Sequence, residues 1–154
     1  MKALKIIGIS IGGIFAIGFI GLVILGSIAP ETYVYLGHQV PKKYLKEIRS
    51  LELLSEDEKI KYFYTDALLD IKDGLYFVTD RNLVLYCNYW EEPETIIDFN
   101  EITKLEVEYD DSFISDSMIY VETKSGLEVS FPVSSERGRD KKFVEHIRQK
   151  SGIE

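Results

Sequence analysis

The length, charge and cysteine content of the chain exclude several classes of protein. Its 154 residues allow one folded domain with an appendage, but not a second domain of ordinary size. The formal net charge is −8. Because Lys2 and Lys5 are the only charged residues among the first thirty, the remainder carries −10 and repels nucleic acid. The single cysteine, Cys87, allows neither an intrachain disulfide nor a cage of cysteines around a metal.

The N-terminal segment has the pattern of a membrane anchor. Residues 6–29 are 24 consecutive uncharged residues, mostly Ile and Gly. As a helix rising about 1.5 Å per residue they reach roughly 36 Å, more than the hydrocarbon thickness of about 30 Å. A cleaved signal peptide is the alternative, but the run exceeds the apolar length of such a peptide, and Pro30 would follow the cut. Residues 1–30 are therefore predicted to be a transmembrane anchor, with lipid as the partner of residues 6–29.

Charged residues beside this segment predict its orientation. Lys2, Lys5 and the amino terminus flank one end, whereas Glu31 flanks the other. Positive charge is retained preferentially in the cytoplasm. We therefore expect a single-pass protein of the plasma (inner) membrane, with a cytoplasmic N-terminus and an external domain.

Small residues recur every four positions in the predicted anchor, at Gly8, Gly12 and Ala16. This spacing lets two transmembrane helices approach closely and predicts a homodimer through the membrane helix. Glycine is also common in membrane helices generally, so the spacing has a second explanation that involves no pairing.

The rest of the chain is predicted to form a tether, a short helix and a β domain. Residues 31–53 comprise the tether and a helix over 41–51, where apolar residues recur at helical spacing. Residues 54–154 change to short segments rich in Tyr, Phe, Val and Ile, separated by turn residues. The predicted antiparallel strands lie near 59–65, 75–80, 83–89, 95–99, 103–109, 117–123 and 127–133.

The last predicted hairpin and a closing helix complete the domain. Met118 and Tyr120 of one strand are placed on a buried face with Phe131 of the next, since apolar and polar residues alternate there. The helix is predicted over residues 140–150, with Asp140 as its N-cap. Such a helix covers an open end of a small antiparallel barrel or sandwich.

Four blocks of this region resemble one known family. Residues 58–64 form a strand block, residues 76–86 a hairpin, residues 97–107 a further strand run and residues 143–147 a closing helix. Across residues 54–149 these blocks resemble the bacterial pleckstrin-homology-like (PH-like) domains, close in pattern to the GRAM type. The resemblance implies an α+β, mainly β fold: a seven-stranded bent antiparallel barrel with a C-terminal capping helix, here preceded by a transmembrane helix.

The resemblance implies a fold more than a function. The family hairpin commonly has an arginine three residues after its threonine, whereas this chain has Asn82 there and Arg81 one residue earlier. Eukaryotic relatives often bind phosphoinositides through basic residues in the first hairpin loop. Residues 66–74 of this chain contain three acids and one lysine. That loop is not expected to hold an inositol phosphate.

Residues that support catalysis or metal binding are sparse. His38 and His146 are the only histidines, and neither has the neighbours of a Ser-His-Asp site. Asp110, Asp111 and Asp116 gather oxygen ligands for a cation but lack the alternation and glycine of a dedicated calcium loop. A solvated acidic turn is the favoured interpretation. We expect no catalytic residue and no cofactor.

Basic residues supply the remaining candidate site, for an anion or an acidic partner. They are Arg81, Arg137, Arg139, Lys141 and Lys142. The last four lead into a helix N-terminus, where backbone amides also face anions. An ordinary solvated helix start is the alternative.

These patterns favour a non-enzymatic, membrane-tethered interaction module of the bacterial envelope, with a protein partner. One alternative is an envelope enzyme or small-ligand sensor whose pocket uses Tyr and Asp side chains. Another is a domain that binds anionic lipid headgroups through Arg81 and residues 137–142.

Overall fold

The computed structural model describes Phe19, residues 33–110, Ser112 and residues 115–153. Apart from Phe19, the predicted membrane anchor lies outside the described residues, and so do Gly8, Gly12 and Ala16. Within the described part of the chain, no helix has both the length and the apolar character needed to cross a bilayer.

Two antiparallel sheets contain the eight strands found among the described residues. The five-stranded sheet has the order β1-β2-β3-β4-β5, and the three-stranded sheet has the order β6-β7-β8. The strands are β1 (Tyr35–Leu36), β2 (Tyr62–Tyr64), β3 (Leu75–Val78), β4 (Asn82–Tyr86), β5 (Glu94–Asp98), β6 (Ile102–Glu108), β7 (Ser117–Thr123) and β8 (Glu128–Val133). The two α-helices after residue 33 are α1 (Lys42–Ser50) and α2 (Arg139–Ser151). All seven predicted strands and both helices of the domain are confirmed, and β1 is additional.

The predicted bent barrel is not closed among the described residues. A 3-10 helix at Phe99–Glu101 carries the chain from β5 into β6, and no strand pair joins the two sheets among the described residues. Alternation along a sequence identifies strands and their faces, but it does not show which strand edges are hydrogen-bonded. The fold is mainly β and PH-like, as predicted. It consists of two packed antiparallel sheets with a C-terminal helix.

The facing sides of the two sheets enclose the larger core. The five-stranded sheet contributes Tyr64, Tyr76, Val78, Leu83, Leu85 and Ile97. The three-stranded sheet contributes Leu105, Ile119, Val121, Phe131 and Val133. Phe143, Val144 and Ile147 of α2 pack against both sets, so the closing helix has the predicted apolar face.

A second core covers the opposite side of the five-stranded sheet. The strands contribute Phe63, Leu75, Phe77, Val84 and Tyr86. Tyr44 and Ile48 of α1 pack over them, and Ile48 is fully buried. Burying one side chain of this size stabilises a fold by about 1.5–3 kcal/mol. Because both faces of this sheet are covered, β3 is buried at every residue.

Residues 33–40, predicted to be a tether, belong to the folded domain. They contain β1, which pairs with β2, and Val34 is fully buried. A side chain at Gly37 would overlap the carbonyl group of Ile60, so only glycine allows this close approach. The two residues of β1 are too few to show an alternating pattern, which is why the sequence does not reveal the strand.

The inner face of β7 is formed by Ile119 and Val121, and not by Met118 and Tyr120 as predicted. Ile119 lies directly opposite Phe131 of β8, and opposite residues share one face of a sheet. Tyr120 therefore points outward and is 37% exposed. A pairing error of one residue assigns every side chain to the wrong face.

Helix α2 begins differently from the prediction. Its N-cap is Gly138, at φ 60°, a left-handed conformation that glycine adopts without steric cost. Asp140, the predicted cap, lies inside the first turn and is buried. Its Oδ2 accepts a hydrogen bond of 2.8 Å from the Ser117 hydroxyl. Asp140 therefore ties α2 to β7 instead of capping the helix.

Candidate functional site

A groove runs along the free edge of β6. Strand β6 pairs with β7 on one side, and no described strand pairs with its other side. The groove is lined by Leu105–Glu108 of β6, Tyr120 of β7 and Arg148 of α2, and its volume is about 540 Å³. We call this site the edge groove. It combines an unpaired strand edge with space beside it.

Apolar and acidic side chains alternate along the edge groove. Leu105 is buried and Val107 is half-buried, whereas Glu106 and Glu108 are exposed. The Tyr120 hydroxyl donates a hydrogen bond of 3.1 Å to Glu108 Oε2, and this bond raises the pKa of Tyr120. Charged residues commonly protect an exposed strand edge against unspecific pairing. Here the protecting charge is mainly negative.

Arg148 places an unsatisfied donor beside this edge. Its Nε is buried and has no hydrogen-bond partner among the described residues. A buried N–H group without an acceptor costs about 1–3 kcal/mol.

Acidic side chains also surround the adjoining outer face of the three-stranded sheet. A cavity of about 350 Å³ there shares Glu106 and Tyr120 with the edge groove. Glu122 and Glu128 lie directly opposite each other, an arrangement of like charges that destabilises a sheet. Lys104 Nζ is 2.9 Å from Glu106 Oε1, and this hydrogen bond raises the pKa of Lys104. One lysine among these glutamates leaves an excess of negative charge.

Two tyrosine–aspartate pairs lie where β2 leads into β3. Tyr64 donates a hydrogen bond of 2.6 Å to Asp116, and Tyr76 donates one of 3.3 Å to Asp66. Burial raises the pKa of both phenols far above the usual range, and the nearby carboxylates raise it further. Burial also raises the pKa of Asp66. The phenols therefore stay protonated and bonded, which supports the fold and does not provide a base.

Arg81 lies in a turn network. Its Nη2 is 2.7 Å from Asp57 Oδ2, and its Nε is 3.7 Å from Oε1 of the buried Glu58. Glu58 Oε1 also accepts hydrogen bonds of 2.9 Å from the Thr79 hydroxyl and the Asn82 amide. Two acids thus already neutralise Arg81. Glu58 was not predicted to be buried, because a glutamate beside a strand gives no sign of burial.

The structure separates Arg81 from the other basic candidates. The guanidinium carbons of Arg137 and Arg139 lie 4.1 and 5.1 Å from the ring centre of Tyr33. Lys141 and Lys142 follow in the first turn of α2, where Lys142 is exposed. The two arginines therefore hold the N-terminal segment of the domain. Anion binding by this cluster stays a prediction.

Of the acidic candidates for a metal site, Asp110 and Asp116 are the two that the structure describes, and they have separate hydrogen-bond partners. Asp110 Oδ1 accepts a hydrogen bond of 2.6 Å from the Ser112 backbone, and hydrogen bonds from Ser112 hold the pKa of Asp110 below its usual range. Asp116 is bonded to a tyrosine, and Asp111 lies outside the described residues. Over the described ranges, no three His, Cys, Asp or Glu side chains are grouped to hold a metal ion.

The two histidines have different surroundings. His38 is exposed. His146 Nε2 lies 2.7 Å from the Thr79 carbonyl oxygen, and its ring packs edge-on against Tyr62 and Phe99. Burial lowers the pKa of His146. This histidine joins α2 to the β3–β4 turn and has a structural role.

Two solved structures are similar to this fold. One is a DUF1696 family protein with a pleckstrin-homology domain from Shewanella loihica, with 12% identity and a TM-score of 0.53 over 79% of this chain and 99% of that chain. The other is a pleckstrin homology domain from Shewanella amazonensis, with 16% identity and a TM-score of 0.50 over 71% of this chain and 86% of that chain. Neither a protein-family model nor a curated protein matches the sequence. At these identities the likeness concerns the fold alone, and the domain has a PH-like fold.

Proposed function

We propose that this protein is a membrane-tethered, non-enzymatic interaction module of the bacterial envelope, and that its edge groove binds an extended segment of a protein partner. The observation that carries the proposal is the unpaired edge of β6 beside a groove of about 540 Å³. Strand addition to a free sheet edge is a recurrent way of binding peptides, since the backbone supplies hydrogen bonds and pockets select side chains.

The chemistry of the groove defines the partner segment. Glu106 and Glu108 are exposed along the edge, so basic side chains on the partner complement them. Arg148 of α2 also lines the groove, and its guanidinium can donate hydrogen bonds to backbone carbonyls of an added strand. The partner is therefore an extended segment with lysine or arginine at alternate positions.

The tether in this proposal rests on the sequence of residues 6–29. Their length and lack of charge support a transmembrane helix, and Lys2 and Lys5 support a cytoplasmic N-terminus with the domain outside the plasma membrane. Pairing through Gly8, Gly12 and Ala16 belongs to the same proposal. Attachment to the bilayer raises the local concentration of the domain near membrane partners, which strengthens weak binding without new contacts.

Site-specific crosslinking in intact cells tests the binding site. A photo-crosslinking amino acid at Glu106 of the full chain should form adducts with a partner protein. The matched position is Ile96, which is 49% exposed on the edge strand β5 of the other sheet. We expect adducts at position 106 to exceed those at position 96 several-fold.

Charge reversal then tests the chemistry of the partner. Glu108→Lys should suppress the adducts at position 106, whereas Glu92→Lys, the same change on the exposed β4–β5 loop, should leave them unchanged. Equal labelling at positions 106 and 96, or adducts insensitive to Glu108→Lys, would overturn the proposed binding site. Release of the chain from membranes by alkaline carbonate would overturn the tether.

A further inference from the structure

The most exposed large apolar side chains of the domain are grouped. Among the described residues from Tyr33 onward, the three highest exposures of this kind are Tyr89 at 77%, Leu68 at 76% and Leu69 at 56%. Leu68 and Leu69 lie in the β2–β3 loop, and Tyr89 lies in the β4–β5 loop. We call these three residues the apolar ledge. Grouped apolar exposure of this kind marks an interaction surface.

The two loops that carry the apolar ledge are bonded to each other. The Asn88 N–H donates a hydrogen bond of 2.8 Å to the Lys72 carbonyl oxygen. The Cys87 thiol donates one of 3.0 Å to the Asp73 carbonyl oxygen. These hydrogen bonds therefore hold together the two loops that carry the apolar ledge.

The polypeptide joins the domain at the same end. Strand β1 is antiparallel to β2, and Tyr35 lies opposite Phe63. Followed toward the N-terminus, β1 thus runs alongside Tyr64 toward the β2–β3 loop. Arg139 Nη1 fixes Val34 there through a hydrogen bond of 2.6 Å to its carbonyl oxygen.

The length of the connecting chain limits where a bilayer can be. The uncharged run ends at Ala29, five residues before the buried Val34. Five residues span at most about 18 Å at 3.3–3.6 Å each. If residues 6–29 cross a bilayer, its surface therefore lies within about 18 Å of Val34 along the chain. The β7–β8 turn, with Leu127, lies at the opposite end of the strands.

We infer that the apolar ledge rests in the interfacial layer of the bilayer that holds the anchor, with Leu68, Leu69 and Tyr89 in contact with lipid. Tyrosine favours this layer because its ring is apolar and its hydroxyl is polar. The inference rests on the membrane tether of the proposed function. Its consequence is a fixed orientation of the domain on the membrane.

Apolar contact, and not attraction to charged headgroups, holds the apolar ledge against the bilayer. The β2–β3 loop carries Asp66, Asp70 and Asp73. Its one lysine is Lys72, whose Nζ lies 3.4 Å from Glu47 Oε1 and 3.5 Å from Asp70 Oδ2. The only lysine of the loop is therefore already paired with acids and does not attract an anionic headgroup. The apolar ledge should bind neutral lipid as well as anionic lipid.

Tryptophan quenching in nanodiscs tests the inference with the full chain. The native Trp90 is replaced by phenylalanine, and a single tryptophan is introduced as Leu69→Trp or, as the matched control, Leu127→Trp, which is 43% exposed at the other end. Nanodiscs contain phosphatidylcholine with plain or brominated acyl chains. We expect bromine to quench Leu69→Trp several-fold more than Leu127→Trp, with no increase when phosphatidylglycerol is added.

Each outcome decides the inference. Equal quenching of the two variants, in chains that co-elute with nanodiscs, overturns the contact between the apolar ledge and lipid but leaves the membrane tether intact. Quenching that requires phosphatidylglycerol overturns the apolar mechanism in favour of headgroup binding. Failure to co-elute overturns the tether and the lipid contact together. If Trp90→Phe unfolds the chain by circular dichroism, native Trp90 is the probe, and its quenching should be lost in Leu69→Asp but kept in Leu127→Asp.

Discussion

The two sheets differ in how much of their surface is covered. The five-stranded sheet is buried on one face by the main core and on the other by α1, so β3 and β4 are apolar at nearly every position. The three-stranded sheet has a bare outer face, and β7 alternates between buried and more exposed residues. A sheet covered on both faces has surface only at its edges, whereas a half-covered sheet keeps a face and an edge for a partner. We expect the first sheet to contribute more of the stability, whereas the proposed binding site lies on the second.

The largest expected loss of stability comes from substitutions in the two cores, and it tests whether α1 is part of the core that covers the five-stranded sheet. Ile48 of α1 and Ile147 of α2 are both fully buried, in the second core and the main core respectively. Replacing either by alanine should lower the free energy of unfolding by about 2–5 kcal/mol. Urea unfolding of residues 31–154, which form one compact unit, measures this loss in the free energy of unfolding.

Arg49→Ala is the matched control on the exposed side of α1 and should change the free energy of unfolding by less than about 0.5 kcal/mol. If Ile48→Ala were as mild as this control while Ile147→Ala was severe, α1 would be an appendage. The five-stranded sheet would then have only one covered face.

Glu58→Ala should have the next largest effect, because it removes the acceptor of the Thr79 hydroxyl and the Asn82 amide. Leaving buried donors unpaired costs about 1–3 kcal/mol. Asp57→Ala removes the other acid beside Arg81, but the Asp57 side chain is 74% exposed, so this loss should be much smaller. Equal losses in thermal or urea unfolding would refute a structural role specific to Glu58.

A smaller, pH-dependent effect is expected at His146. Because burial lowers its pKa from the ordinary value, the unfolded chain binds more protons than the folded chain once the pH falls below about 6.5. The stability from neutral His146 is present above that pH and is lost as the pH falls toward the folded-state pKa. His146→Gln should flatten the slope of unfolding free energy against pH in this window.

The smallest effect on stability is expected on the bare sheet. Tyr120→Ser should change the free energy of unfolding by less than about 0.5 kcal/mol, because Tyr120 faces outward. Its neighbour Ile119 is fully buried, and Ile119→Ala should cost about 2–5 kcal/mol. A large loss for Tyr120→Ser would mean that the outer face is part of the core and not available to a partner.

The sequence by itself determined the strands, the closing helix and the PH-like pattern, since period-2 alternation and turn residues such as those at 124–126 are local signals. It also showed that the first hairpin loop is acidic. It did not reveal β1, the burial of Glu58 and Asp140, or the outward direction of Tyr120. Each of these depends on which residues meet across the fold.

Only the tertiary structure decided that no strand pair joins the two sheets within the described part of the chain, that α1 covers one face of the five-stranded sheet, and that Arg148 lies beside β6. These features join residues far apart in sequence, as Arg148 and Leu105 are, through packing that no local pattern encodes. Local periodicity fixes which side chains share one face of a strand, but not which of the two faces is buried. Long-range packing fixes what it meets.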